Sequence, residues 1–355
     1  MDHAGRRARM VQRLADLDTD ALLVTALPNV RYLTGFTGSN AQLLLGRDDA
    51  RFFTDGRYAE QSSHEVAGVA AVIYADGFPE RFAAACRDLG VSRVAFEADS
   101  VTYQQHADLQ RPELELLPTR GAVEALRWVK DPEEVSALNA AQGIADRVFD
   151  SILGELAEGL TEREVGFRLD TAMLQAGADA LAFETIVAFG PNAAEPHHHP
   201  GDRTLARGDV VKLDFGAQCG GYHSDMTRTV AFGEPSDRLR EVYQVVLRAQ
   251  LAGIAAVRAG VSGGDADEAS RAVIRDAGYA DAYKHSLGHG VGLQIHEGPS
   301  LRREGTDVLP AGAVVTVEPG IYLEGVGGVR IEDMVEVTTQ GCRTIPQAPK
   351  ELIVL

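Results

Sequence analysis

Short apolar runs alternate with helical spacing through the first third of the chain. Met10, Leu14 and Leu17 recur at helical intervals and predict a helix over Arg7 to Leu17. Ala21 to Val24 is a compact strand-like run. Leu43 to Leu45 and Arg51 to Thr54 predict two more strands, joined by the turn-rich link Gly46-Arg47-Asp48-Asp49. Pro79 to Leu89 reads as a helix with proline at its first position, where the missing N–H does no harm, and Val94 to Glu97 reads as a strand. This alternation predicts an α/β domain. Pro118 and Gly121 break the pattern and put a boundary between Leu117 and Asp131, hence domains over 1–125 and 126–355.

Beyond the boundary the pattern changes. Asp131 is a predicted N-cap, Pro132 takes the first helical position, and Glu133 and Glu134 suit the positive end of the helix dipole. Val135, Leu138, Ile144, Val148, Ile152 and Leu156 mark one apolar stripe of a long helix that Gly159 closes. Thr161 with Glu164 forms a capping box for a second helix running to about Gln175. Strands follow at Ile186 to Phe189, Val210 to Phe215, Tyr222 to Phe232, Val314 to Val317 and Gly328 to Thr338, with helices between about Asp237 and Ala277. Strands and helices are segregated here, so the second domain is predicted to be α+β.

Composition narrows the class. Across 355 residues, 34 Lys and Arg against 52 Asp and Glu give a net charge of −18, which argues against a nucleic-acid binder and against a surface held to anionic lipid. The three cysteines, Cys86, Cys219 and Cys342, form neither a disulfide framework nor a CxxC knuckle and suit a reducing compartment. No apolar segment follows the basic start, MDHAGRRARM, and no apolar run is long enough to span a bilayer, so a cytoplasmic protein is expected.

The chemistry concentrates in the second half. Gly220-Gly221 is a two-residue hairpin signal that pairs Cys219 with Tyr222. In that register Asp225 lies opposite Gly216, and Asp214 is its diagonal neighbour on the same face, about 7–8 Å away across the strands at the backbone. Two acids on one buried face repel unless a cation or proton sits between them. Further on come Gly288-His289-Gly290-Val291-Gly292, His296-Glu297-Gly298-Pro299, Val317-Glu318-Pro319-Gly320 and Gly328-Val329-Arg330-Ile331-Glu332-Asp333. Asp214, Asp225, His289, Glu318 and Glu332 make four carboxylates and one imidazole, a set suited to Mn²⁺, Co²⁺ or Zn²⁺. Four carboxylates exceed the charge of one divalent ion, whereas two ions would neutralise them.

In order and spacing, LDFGA, SDMTRT, GHGVG, HEGP, VEPGIY and GVRIED resemble the motifs of the pita-bread metallopeptidases, in the branch of aminopeptidase P and prolidase. Asn29 to Ser39 and Thr54-Asp-Gly-Arg-Tyr are similar to the creatinase-type N-terminal domain, so the resemblance covers nearly the whole chain. It implies an α/β N-terminal domain followed by an α+β pita-bread catalytic domain, with Asp214, Asp225, His289, Glu318 and Glu332 as ligands of two metal ions, most simply Mn²⁺. It also implies a homodimer. His197 and His296 match histidines that the family keeps near its metals; His198 and His199 match nothing and read as a turn-exposed run.

Carried onto this chain, the resemblance implies hydrolysis of the bond before proline in peptides with proline at the second position. Glu318 is the expected general base, His197 and His296 the donors to the tetrahedral intermediate, and Phe183 a wall of the proline pocket. Arg330 is expected either to orient carboxylates beside the metals or to pair with Asp333. Dipeptidases of this type often carry an arginine directly after HExP; here Ser300 stands there, with Arg302 and Arg303 just beyond. That departure favours an Xaa-Pro aminopeptidase over the alternative, an Xaa-Pro dipeptidase (prolidase). A non-catalytic peptide-binding module of the same fold would be expected to lose metal ligands, and all five are intact.

Overall fold

The computed structural model describes residues 1–355, which fold as two compact units, Met1–Arg127 and Trp128–Leu355. The first holds one sheet of six strands: β1 (Ala21–Val24), β2 (Gln42–Gly46), β3 (Ala50–Asp55), β4 (Ala70–Tyr74), β5 (Arg93–Glu97) and β6 (Glu115–Thr119), in the order β4-β3-β2-β1-β5-β6. The β1/β2 and β2/β3 pairs are antiparallel; the others are parallel. Helix Phe78–Leu89 turns Phe82 and Cys86 onto Leu23, Phe53 and Val94 of the sheet. The first helix spans His3–Leu14 rather than continuing to Leu17. Asp2 opens it by accepting from the N–H of Gly5, and the chain leaves the helix before Asp18, whose φ of 52° is left-handed.

In the second unit the predicted N-cap and the predicted capping box both form, and the N-cap is itself a capping box. Asp131 and Glu134 cap helix Pro132–Leu153, and Thr161 and Glu164 cap helix Glu162–Gln175. The first of these stops at Leu153, not at Gly159, because Gly154 already turns its N–H back to Ser151, although Leu156 stays buried. The strands are β7 (Ala180–Leu181), β8 (Ile186–Phe189), β9 (Asp209–Phe215), β10 (Ala217–Cys219), β11 (Tyr222–His223), β12 (Met226–Phe232), β13 (Gly288–Gly290), β14 (Glu297–Leu301), β15 (Val314–Val317), β16 (Gly320–Leu323), β17 (Gly327–Arg330), β18 (Asp333–Val337) and β19 (Cys342–Thr344). They form sheets ordered β11-β10-β7, β12-β9-β8, β14-β13-β15-β18-β19 and β16-β17. Helices cover them: Phe149 and Met173 pack on Val187, Leu213 and Val230, and Val242 and Val246 of helix Asp237–Ala256 pack on Ile321 and Val329.

Two stretches predicted as single strands are each two. Tyr222 to Phe232 breaks at Ser224 and Asp225, and Gly328 to Thr338 breaks at Ile331 and Glu332. In both, the chain leaves one sheet and enters another, and an acid sits at the step.

Candidate metal centre

The Gly220-Gly221 turn sets the geometry. Both residues have positive φ, 57° and 82°, which a type I′ hairpin turn requires and which glycine adopts without strain. Cys219 pairs with Tyr222 as predicted, and the same register continues past the break, with Met226 opposite Phe215 and Thr227 opposite Asp214. Asp214 and Asp225 are therefore brought onto one face, both buried.

The other three residues arrive from the five-stranded sheet and its approach. His289 lies on β13, which pairs with β15; Glu318 follows β15 directly; Glu332 precedes β18, the other neighbour of β15. His289 Nε2 is 3.3 Å from Glu318 Oε1 and 3.6 Å from Asp225 Oδ2. Thr227 Oγ1 donates to Glu332 Oε2 at 2.6 Å, and Thr316 Oγ1 donates to Glu318 Oε1 at 3.1 Å. Ligand-type atoms of Asp225, His289 and Glu332 all lie within 4.8 Å of one another. Asp214 Oδ2 accepts from Arg330, while its Oδ1 is buried without a hydrogen-bond partner. Of the predicted strand acids, only Asp214 lies within a strand; the other three stand where strands end or begin.

All five residues line one cavity of about 550 Å³, together with Phe183, His197, His296 and Arg330. Burial, and then crowding by neighbouring carboxylates such as Asp214 and Glu318, pushes the carboxyls of Asp225 and Glu332 well above the usual range. Burial likewise raises Asp214 against the pull of Arg330. Burial would also raise Glu318 and lower His289, but their hydrogen bond outweighs it, taking Glu318 down to about 2 and His289 up to about 9. So concentrated an acidic set fits divalent cations: an orphaned buried carboxylate oxygen, hard oxygen donors and one imidazole are what such ions take.

Residues 136–339 match metallopeptidase family M24, and residues 6–129 match the creatinase/prolidase N-terminal domain. The chain belongs to the M24 metallopeptidases. It is similar to the structure of an Xaa-Pro dipeptidase from Bacillus anthracis, with 41% identity, coverage of 99% of this chain and 100% of that one, and a TM-score of 0.97. It is similar also to the structure of an X-Pro aminopeptidase from Thermotoga maritima MSB8, with 34% identity over 98% and 99% of the two chains and a TM-score of 0.91. An Xaa-Pro dipeptidase from Pyrococcus horikoshii is 32% identical, covering 99% of this chain and 100% of its own. The M24 assignment carries with it the pita-bread fold and divalent metal ions.

Other side chains complete the M24 cavity. Arg330 binds Asp214, Thr227 Oγ1, the carbonyl of Pro196 and the hydroxyl of Tyr322. It does not pair with Asp333, which is held by Arg228 and Lys350 instead. His285, which sequence reasoning missed, also lines the cavity; its Nε2 is 2.8 Å from Tyr322 Oη. Its only signal is its place three residues ahead of the glycine-histidine motif. The expectation for His198 is overturned: its ring is largely buried, with Nε2 2.8 Å from Glu162 and Nδ1 2.7 Å from Glu195. His199 is exposed, beside Glu184. The glycines around His289 serve strand packing: a Cβ on Gly288 would stand 2.0 Å from the Thr316 carbonyl oxygen, and one on Gly290 2.1 Å from that of Gly298.

Proposed function

We propose that this chain is an Xaa-Pro peptidase that holds two divalent ions, Mn²⁺ by preference over Co²⁺ or Zn²⁺, on Asp214, Asp225, His289, Glu318 and Glu332. The observation that carries the reading is the convergence of those five side chains on one cavity, with Asp214 Oδ1 buried and unpartnered. Divalent ions supply Lewis acidity and lower the pKa of water. Glu318 accepts the proton of the attacking water. His197 and His296, both lining the cavity, donate hydrogen bonds to the oxygen that gains charge as the carbonyl before proline becomes tetrahedral. Arg330 keeps Asp214 in orientation, and Phe183 packs against the proline ring.

The dipeptidase reading is favoured over the aminopeptidase expected from Ser300. Two relatives that match 99% of this chain are named Xaa-Pro dipeptidase. Arg302, two residues beyond Ser300, lines the cavity with an exposed guanidinium, which suits the free carboxylate of a C-terminal proline. The second reading is the aminopeptidase, favoured by the absence of an arginine at position 300 and by the likeness to the Thermotoga enzyme. A cytoplasmic setting and a homodimer belong to the proposal as well; free cysteines, and thiols at Cys86 and Cys342 pushed up by burial to about 12 and about 11, suit the former. No helix is long and apolar enough to cross a membrane.

The test compares Phe-Pro with Arg-Pro-Pro in added Mn²⁺, Co²⁺ or Zn²⁺. The dipeptide is expected to show the higher kcat/KM. Preference for the tripeptide makes the chain an aminopeptidase, and hydrolysis of neither removes the peptidase reading.

A further inference from the structure

His197 lines the cavity as an exposed side chain that no protein hydrogen bond holds; what fixes its place is the chain on either side. On the N-terminal side a short 3₁₀ helix, Gly190–Ala194, ends with carbonyls directed at one cation. Lys212 Nζ donates to the carbonyls of Ala193 and Pro196, each at 3.3 Å, and to that of Glu195. Lys212 is fully buried on β9, on the same face as Asp214, and Arg330 adds a 3.1 Å bond to the Pro196 carbonyl. On the C-terminal side the neighbour of His197 is anchored: the His198 ring is bound by Glu162 and Glu195. Glu162, also fully buried, accepts from the N–H of Phe189 at 2.8 Å, the side chain of Asn192 at 2.9 Å and the N–H of Gly201 at 3.0 Å.

Lys212 directs Nζ to three main-chain carbonyls without a direct carboxylate partner, and burial, with Arg330 nearby, lowers its pKa to about 7. A buried charge spent this way is costly unless every donor is satisfied, and here each one fastens the turn immediately before His197. Glu162 reaches residues 189, 192, 198 and 201, so it ties the loop before and after the same histidine. The segment is thus gripped on both flanks, and its one unbonded imidazole faces the cavity.

We infer that Lys212 and Glu162 are the two jaws of a clamp that positions His197 for the reaction. The inference rests on the peptidase reading above and adds to it two positioning residues that touch neither substrate nor the proposed ligand atoms. Release of either jaw lets the loop carry the imidazole away from the developing charge while the cavity floor stays as it is.

The test measures kcat and KM for Phe-Pro, and bound metal, in the full-length protein and in Lys212→Met, Glu162→Gln, His197→Ala and the two doubles with His197→Ala. Each jaw variant is expected to lose about 10–100-fold in kcat, the scale of an ångström of misplacement, with KM moved far less and metal content unchanged. In the His197→Ala background neither is expected to add more than about twofold, since residues acting through one group are non-additive. Histidine ring NMR gives a second readout: the His197 signal, assigned by its absence in His197→Ala, should broaden or split in the jaw variants. Glu162→Gln keeps shape and covers the case in which Lys212→Met does not fold. Full losses that persist without His197, or an unchanged kcat and an unchanged His197 signal in a folded jaw variant, overturn the clamp. An inactive wild type with the NMR change present overturns the peptidase reading instead.

Discussion

Lys130 Nζ donates to Glu297 Oε1 at 2.9 Å, and both side chains are almost wholly buried, at 1% and 3% exposure. Glu297 follows His296 directly, so the pair holds the turn from which that histidine reaches the cavity. Beside it, Gly298 leaves the space the Trp128 indole fills: a Cβ there would stand 2.2 Å from Nε1.

Breaking that pair takes the buried cation away from the Glu297 carboxylate. Lys130→Met is expected to lower stability by about 3–5 kcal/mol, read from denaturant unfolding, whereas Lys130→Met with Glu297→Gln recovers part of the loss. Equal stability of wild type and the single variant would show that the pair carries no such energy.

Metal binding should be visible without catalysis. With ions at about 100 times Kd, each site adds roughly 2.7 kcal/mol to the folded state, so Mn²⁺ should raise Tm and EDTA should reverse the rise. Asp225→Asn should cancel most of it, because Asp225 lies within reach of both His289 and Glu332. A Tm indifferent to Mn²⁺, Co²⁺ and Zn²⁺ would remove the metal centre.

Arg302 is exposed at the cavity, so its replacement should spare the fold. A charge-assisted bond to a carboxylate is worth about 1.5–3 kcal/mol, so Arg302→Met should raise KM for Phe-Pro about 10–100-fold. The amide, Phe-Pro-NH₂, has no carboxylate to lose and should be nearly unaffected. Equal effects on acid and amide would count against the clamp on the substrate's C-terminus.

His198 gives the loop a pH dependence. Burial pulls its ring down, but the hydrogen bonds to Glu195 and Glu162 outweigh it and raise it above the ordinary 6.5. A histidine raised on folding contributes stability that is full below the unfolded value and is lost as pH rises through the folded one. The stability difference between wild type and His198→Asn should therefore shrink as the pH rises beyond the ordinary 6.5. Growth of that difference over the same range would contradict the assignment.

Much of this was legible because local chemistry fixed it. Asp131 with Glu134 and Thr161 with Glu164 satisfy helix N–H groups within four residues, so no distant partner is needed. Gly220-Gly221 sets the register of β9 on β12 and with it the approach of Asp214 to Asp225. The breaks at Asp225 and Glu332 were not legible. Their flanks, Met226 to Phe232 and Val329 to Val337, are buried almost throughout, so neither stretch shows the alternation that would mark a change of sheet. Lys212 and Glu162 were passed over for a related reason: a single charged residue in a run or at a helix start does not reveal that its partners are carbonyls and N–H groups up to 39 residues away.

The glycine turn that joins the two arms also restricts how this stretch can vary. One residue inserted between Cys219 and Tyr222, or one removed, would turn every side chain of the second arm to the opposite face and carry Asp225 away from Asp214. Gains and losses of length are therefore barred from this hairpin, as are replacements of its two glycines and of the two acids it aligns.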